Sequence, residues 1–133
     1  MTAHDMAKVI FEGIKSLKPK EIRTLIAIAG PPGSGKSTVA EIVTDLMNEN
    51  LMKTSLVPMD GFHLDNKTLE RENLFDRKGA PETFDIKGFK QLIKKLRYKK
   101  NSSVPLFDRT LDEVVKNARI ISSEQKYIVI EGN

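Results

Sequence analysis

Eight consecutive residues, Gly30-Pro31-Pro32-Gly33-Ser34-Gly35-Lys36-Ser37, match the pattern G-x-x-x-x-G-K-[ST] in full. A phosphate tail needs several backbone N–H groups aimed at one spot. Glycines let the chain curl into such a nest without a Cβ clash. A helix starting at about Lys36 adds its positive end. The predicted phosphate contacts are Gly30, Gly33, Ser34, Gly35, Lys36, Ser37 and Thr38. Lys36 is long enough to reach terminal phosphates, and the Ser37 hydroxyl is placed to hold Mg²⁺.

Two carboxylates follow at other strand ends. In an open parallel sheet, ligands sit beyond the carboxyl ends of the strands. One strand candidate ends in the glycine loop, a second in Asp60 and a third in Glu131. Asp60 is the candidate general base, placed where an acceptor hydroxyl would meet a terminal phosphate. Such a base need only orient the hydroxyl and take its proton, since phosphoryl transfer is mostly positioning and charge stabilisation. The bland alternative is that Asp60-Gly61 is a turn. Glu131 follows four apolar residues, as a metal-side acid does, and is the second candidate Mg²⁺ ligand. His63 and Arg77 are candidate substrate contacts, although loop histidines and charge runs are more often plain surface.

The elements that must position these groups are legible in outline. Residues 2–17 read as an amphipathic helix with Met6, Val9, Ile10, Ile14 and Leu17 as its stripe, capped by Thr2 and broken by Lys18-Pro19-Lys20. Residues 24–29 form a short apolar run, read as a strand buried on both faces. A helix over 36–52 and a strand over 54–59 complete a crossover unit of a parallel sheet. Residues 60–84 read as a long functional loop, with one short helix over 68–73. Asp85 caps a helix running to about Lys99, with Phe89, Leu92, Ile93 and Leu96 inward. Weak strands at 104–107 and 118–121 suggest a small ribbon, and 126–131 reads as a buried strand.

Composition narrows the classes. The chain has 133 residues, which fits a single domain over 1–133. With 39% apolar and 30% charged residues, a modest core is expected rather than disorder. No apolar run approaches the roughly 20 residues of a membrane span, so no membrane partner is expected. Zero Cys excludes disulfides, thiolate zinc sites and a cysteine nucleophile, and suits a reducing, cytoplasmic setting. Lys and Arg number 22 against 18 Asp and Glu, too balanced to suggest nucleic acid. Asp5 and Glu12, with no Arg, argue against a mitochondrial presequence at the start.

Five blocks occur in order: the glycine loop; Pro58-Met59-Asp60-Gly61-Phe62-His63; Lys78-Gly79-Ala80-Pro81-Glu82-Thr83-Phe84-Asp85; Pro105-Leu106-Phe107-Asp108-Arg109; and Ile130-Glu131-Gly132-Asn133. Together, over residues 24–133, they resemble the P-loop kinase superfamily of phosphoribulokinase, uridine kinase and bacterial pantothenate kinase. The resemblance is strongest to its pantothenate-kinase-like branch, which includes fructose-transport-system kinases. It implies an α/β fold of the P-loop nucleoside triphosphate hydrolase type, a parallel sheet flanked by helices, here as an incomplete N-terminal part. It implies ATP- and Mg²⁺-dependent phosphorylation of a hydroxyl on a small molecule, with Asp60 as base, Lys36 on the phosphates, and Ser37 and Glu131 near the metal. Relatives often carry Tyr-Ser-His or Tyr-Asp-His where this chain has Phe107-Asp108-Arg109. Arg109 would then put a fixed charge where they have a histidine, suiting an anionic acceptor. The resemblance also implies strand order 2-3-1-4-5, so a chain ending after the third strand leaves strand 1 as an open edge that a second copy would cover. The alternative is a catalytically incomplete nucleotide-binding module without turnover.

Overall fold

The computed structural model describes residues 1–18, 23–31, 33–78, 80–98 and 101–132. Pro19, Lys20, Pro32, Gly79, Lys99 and Asn133, which figure in the expectations above, lie outside the described residues. The elements run α1 (Ala3–Lys15), β1 (Thr24–Ala29), α2 (Lys36–Glu49), β2 (Thr54–Pro58), α3 (Asn66–Arg71), α4 (Ile86–Arg97), β3 (Ser102–Asp108), β4 (Glu113–Ile121) and β5 (Tyr127–Gly132). Three parallel strands form a sheet in the order β1-β5-β2. The strand latest in sequence therefore lies in the middle. This brings the ends of β1, β2 and β5 to one edge, with Ile28 opposite Glu131 and Glu131 opposite Pro58.

Strand β5 shows why the sheet holds together. Its successive side chains point to opposite faces, and both faces are covered. Ile128 and Ile130 join Val57, Leu92, Leu96 and Val104 on the α4 side. Val129 joins Phe11, Ile14, Ala40, Val43 and Met47 beneath α1 and α2. Full burial of each of these Val, Leu, Ile, Phe and Met side chains stabilises by about 1.5–3 kcal/mol. The antiparallel ribbon β3–β4 packs on the α4 side through Val104 and Ile121.

Three expectations change. Helix α1 does start at a Thr2 cap, closed as a capping box with Asp5. Its buried face, however, is Ala7, Phe11 and Ile14, while Val9 and Leu17 are 60% and 54% exposed. Ile14 and Ile10 of the expected stripe do face α2, but the stripe omitted Phe11 and the small Ala7, which complete the buried face, and took in the exposed Met6, Val9 and Leu17. Strand β1 is not buried on both faces. Ile26 and Ile28 pack under α1 and α2, but Ala27 and Ala29 are exposed. Among the described residues no strand pairs with the other edge of β1, and no helix covers that stretch. Finally, the segment 60–84 is more structured than a loop with one short helix over 68–73, and that helix lies two residues earlier. The segment holds α3 and three single-turn 3₁₀ helices: Met59–Phe62, Phe75–Arg77 and Pro81–Thr83.

Candidate active site

The turn between β1 and α2 has the backbone that its glycines make possible. Gly33 and Gly35 have φ of +77° and +84°, a region that side-chain-bearing residues rarely adopt. Gly35 is the N-cap of α2 and offers no side-chain cap. The first N–H groups of α2 are therefore left for a ligand. At Gly30 a Cβ would sit 2.8 Å from Ser34 Oγ, so a side chain there would make the Ser34 hydroxyl turn aside. Gly30 N–H also donates to Gly132 O at 3.2 Å, which ties the loop to the end of β5. Ser34, Lys36, Ser37 and Thr38 follow at the loop and the first turn of α2. Among the described residues no carboxylate pairs with Lys36.

Ser37 Oγ donates to Glu131 Oε1 at 3.2 Å, joining the start of α2 to the end of β5. Glu131 is 6% exposed. A hydroxyl and a carboxylate are an all-oxygen donor pair, which fits Mg²⁺. That ion takes one or two carboxylates and completes its shell with water and phosphate oxygens. Among the described residues no cluster of three or more His, Cys, Asp or Glu could cage a metal by protein ligands alone.

A cleft of about 130 Å³ opens beside this pair. Its polar lining is Ser37, Glu41, Asp60, Arg109 and Glu131, and Leu56, Pro58, Leu106 and Phe107 form its apolar walls. Asp60 enters from the 3₁₀ turn after β2. Arg109 enters from the turn joining β3 and β4. The ribbon thus closes over the sheet edge and completes the cleft. Sequence reading did not pick out Glu41. It lies four residues after Ser37 on α2, so both occupy one helix face, and that spacing was the available signal.

His63 stacks beside the cleft instead of lining it. Its Nδ1 lies 2.9 Å from Asp60 O, which calls for an N–H there. Its ring lies 4.1 Å from Phe84 and 5.4 Å from Phe107, centroid to centroid. Leu64 N–H donates to Thr83 O at 2.7 Å and Asp85 N–H to Phe62 O at 2.5 Å, with a β-bridge between His63 and Phe84. The Met-Asp-Gly-Phe-His block and the Pro-Glu-Thr-Phe-Asp block are therefore one stitched unit that fixes Asp60. Arg77 is engaged elsewhere, 2.6 Å from Glu82, and does not line the cleft.

A parallel sheet whose first strand runs through a glycine nest into a helix, with an acid on the adjoining strand beside the helix's first hydroxyl, is the architecture of P-loop nucleotide-binding proteins. Within that class the chain belongs to the phosphoribulokinase / uridine kinase family, whose model matches residues 25–133. It is 33% identical over 135 residues to the pantothenate kinase of Listeria monocytogenes serotype 4a (strain HCC23), covering 97% of this chain and 44% of that one. A solved structure from Silicibacter sp. TM1040, assigned as a fructose transport system kinase, superposes with a TM-score of 0.87 at 40% identity. That match covers 100% of this chain and 64% of the other. A structure from Bacillus stearothermophilus assigned as a uridine kinase shares the fold, with a TM-score of 0.76 at 20% identity. The chain spans less than half the length of the curated pantothenate kinase it matches. Among the described residues no helix is long and apolar enough to cross a membrane.

Proposed function

We propose that this chain carries the phosphate-binding and acceptor-activating part of a kinase that moves the γ-phosphoryl group of ATP to a hydroxyl of a small molecule. The observation that carries the reading is the Ser37–Glu131 hydrogen bond at the rim of a cleft that Asp60 also lines. Three elements far apart in sequence converge there on the groups such a transfer needs. The backbone at Gly30 and 33–36 and the Lys36 ammonium hold the phosphates. Asp60 orients the acceptor hydroxyl and takes its proton as the new O–P bond forms. The bond from the γ-phosphorus to the β,γ-bridging oxygen breaks, and ADP leaves with that electron pair. Ser37 and Glu131 are the residues to hold Mg²⁺, which when bound neutralises charge on the phosphate oxygens. The apolar walls Leu56, Pro58, Leu106 and Phe107 shed water from the reacting hydroxyl.

The test is ADP formation by the purified chain with ATP, Mg²⁺ and a panel of hydroxylated acceptors. Acceptor-dependent ADP supports the reading, and Asp60→Asn should abolish it while ATP still binds. Unchanged turnover in Asp60→Asn would sink the assignment of the base. A second reading is nucleotide binding without turnover. Tight ATP binding with no ADP from any acceptor would select it.

A further inference from the structure

The chain's excess of positive charge sits on one helix. Every charged residue of α4 is a cation: Lys87, Lys90, Lys94, Lys95 and Arg97, all exposed. Without these five, the 22 Lys and Arg of the chain fall to 17, against 18 Asp and Glu. Among the described residues none of the five belongs to an ion pair. The opposite side of α4, Leu92 and Leu96, is buried with Ile128 and Ile130 of β5, so the cations point away from the sheet. No residue of α4 lines the cleft.

Helix electrostatics accounts for only part of this charge. Lys94, Lys95 and Arg97 lie in the last turn, where cations complement the macrodipole. Lys87 is the second residue of the helix, where a cation opposes it. Lys87, Lys90, Lys94 and Arg97 follow at intervals of three and four, one stripe of like charges that repel. An anionic partner relieves that repulsion. Tyr98, the C-cap of α4, is 72% exposed at the end of the stripe.

We propose that α4 docks the protein on the surface of an anionic phospholipid bilayer, with its cations at the headgroups and Tyr98 in the interfacial layer. Such an attachment is electrostatic and needs no spanning segment. Geometry favours a bilayer over a nucleic acid. The stripe runs about 15 Å along one convex helix, and a flat field of anions meets all of it without bending. A single strand calls for aromatics interleaved with the cations, whereas the stripe has one aromatic, at its end. Tyrosine is favoured at headgroup level, where its ring meets the apolar side and its hydroxyl stays wet. The proposal is independent of the kinase reading.

The test is sedimentation of the full chain with vesicles of phosphatidylcholine, alone or with about one third phosphatidylglycerol. In low salt the anionic vesicles should bind it at least about tenfold more tightly than the neutral ones, and about 0.5 M salt should release it. The triple variant Lys87→Gln/Lys90→Gln/Lys94→Gln should erase that preference. Lys8→Gln/Lys15→Gln/Lys67→Gln removes the same charge from exposed sites elsewhere and should keep most of it. All six lysines are exposed, so melting should match wild type, or rise in the α4 triple as repulsion is lost. The chain has no Trp, so Tyr98→Trp supplies a single reporter, whose emission should shift to the blue on anionic vesicles. Equal binding to neutral vesicles, no binding to anionic ones, equal loss in the two triples, or binding with no shift in Tyr98→Trp overturns the proposal. So does a short RNA oligonucleotide held through the α4 lysines while anionic vesicles are ignored.

Discussion

The backbone of Pro105 crosses directly over Gly61, so that a Cβ on Gly61 would lie 2.8 Å from the Pro105 carbonyl carbon and nearer still to its oxygen. Strand β3 bulges at this point, where its register with β4 shifts between Val104 and Leu106. Gly61 thus does more than shape a turn after Asp60. It lets the ribbon lie down on the sheet edge, and the ribbon brings Phe107 and Arg109 to the cleft. Gly61→Ala should force the ribbon outward and destabilise the fold by about 1–3 kcal/mol, the usual cost of overpacking. Thermal melting checks the first part. Acceptor affinity should fall more than ATP affinity, because Phe107 and Arg109 line the cleft whereas Gly30, Gly33 and Gly35 do not.

The Ser37–Glu131 pair predicts a metal-linked effect. In wild type, removing Mg²⁺ with a chelator should weaken ATP binding. Glu131→Gln and Ser37→Ala should each lose most of that dependence, binding Mg·ATP about tenfold more weakly while binding metal-free ATP much as before. Because the two groups touch, the double variant should lose less than the sum of the singles. ATP titrations with and without Mg²⁺ read both effects, and strict additivity would argue that the two act separately.

Two helix caps set the response to acid. The Asp65 carboxyl lies below the ordinary carboxylate value chiefly because the Thr68 backbone N–H donates to it at 2.7 Å. The Asp5 carboxyl is lowered chiefly by the Thr2 backbone N–H, at 3.1 Å. A carboxyl depressed in the folded state stabilises fully above its unfolded pKa, near 4. That contribution is lost as pH falls through the lower folded value. Asp65→Ala should therefore cost about 1 kcal/mol near neutral pH. The gap to wild type should narrow below about pH 4. Asp65→Asn keeps the cap and should flatten the acid limb, an effect of about half a kcal/mol or less at so exposed a site. Melting curves between pH 2 and 7 would show both.

How far the sequence revealed all this depends on the range of the forces involved. The glycine loop was legible because its φ angles are set by residues within the loop itself. Asp60 and Glu131 were legible because a short apolar run followed by an acid marks a strand end, and parallel strands end together. Glu41 was hidden because its place depends on the rotation of α2 about its axis. The buried face of α1 was read only in part for the same reason: Ile10 and Ile14 were picked out, but Phe11 and Ala7 face α2 only once the two helices pack. The half-exposed face of β1 reflects what does or does not cover it, which no local pattern encodes. Arg109 arrives through a hairpin whose two strands looked weak separately and gain stability only by pairing across the Val104–Leu106 bulge.

Arg23, the residue before β1, is 2% exposed although it carries a charge. Its Nε donates to Gln125 O at 2.7 Å, and its two terminal nitrogens donate to Leu96 O at 2.9 Å and Ser122 O at 2.8 Å. One side chain therefore ties the end of α4 and the turn before β5 to the start of β1. Burial pulls its pKa below the ordinary arginine value. The group nevertheless stays protonated, so every carbonyl it serves receives a charge-assisted bond. Arg23→Met should leave those three carbonyls without their donor and cost about 3–5 kcal/mol, in the range of losing one partner of a buried charged network. Arg23→Lys should recover only part, since one ammonium cannot span three carbonyls held by a planar fork. Urea unfolding of the three proteins reads the order wild type, Lys, Met, and a Lys variant as stable as wild type would show that charge rather than fork geometry holds the junction.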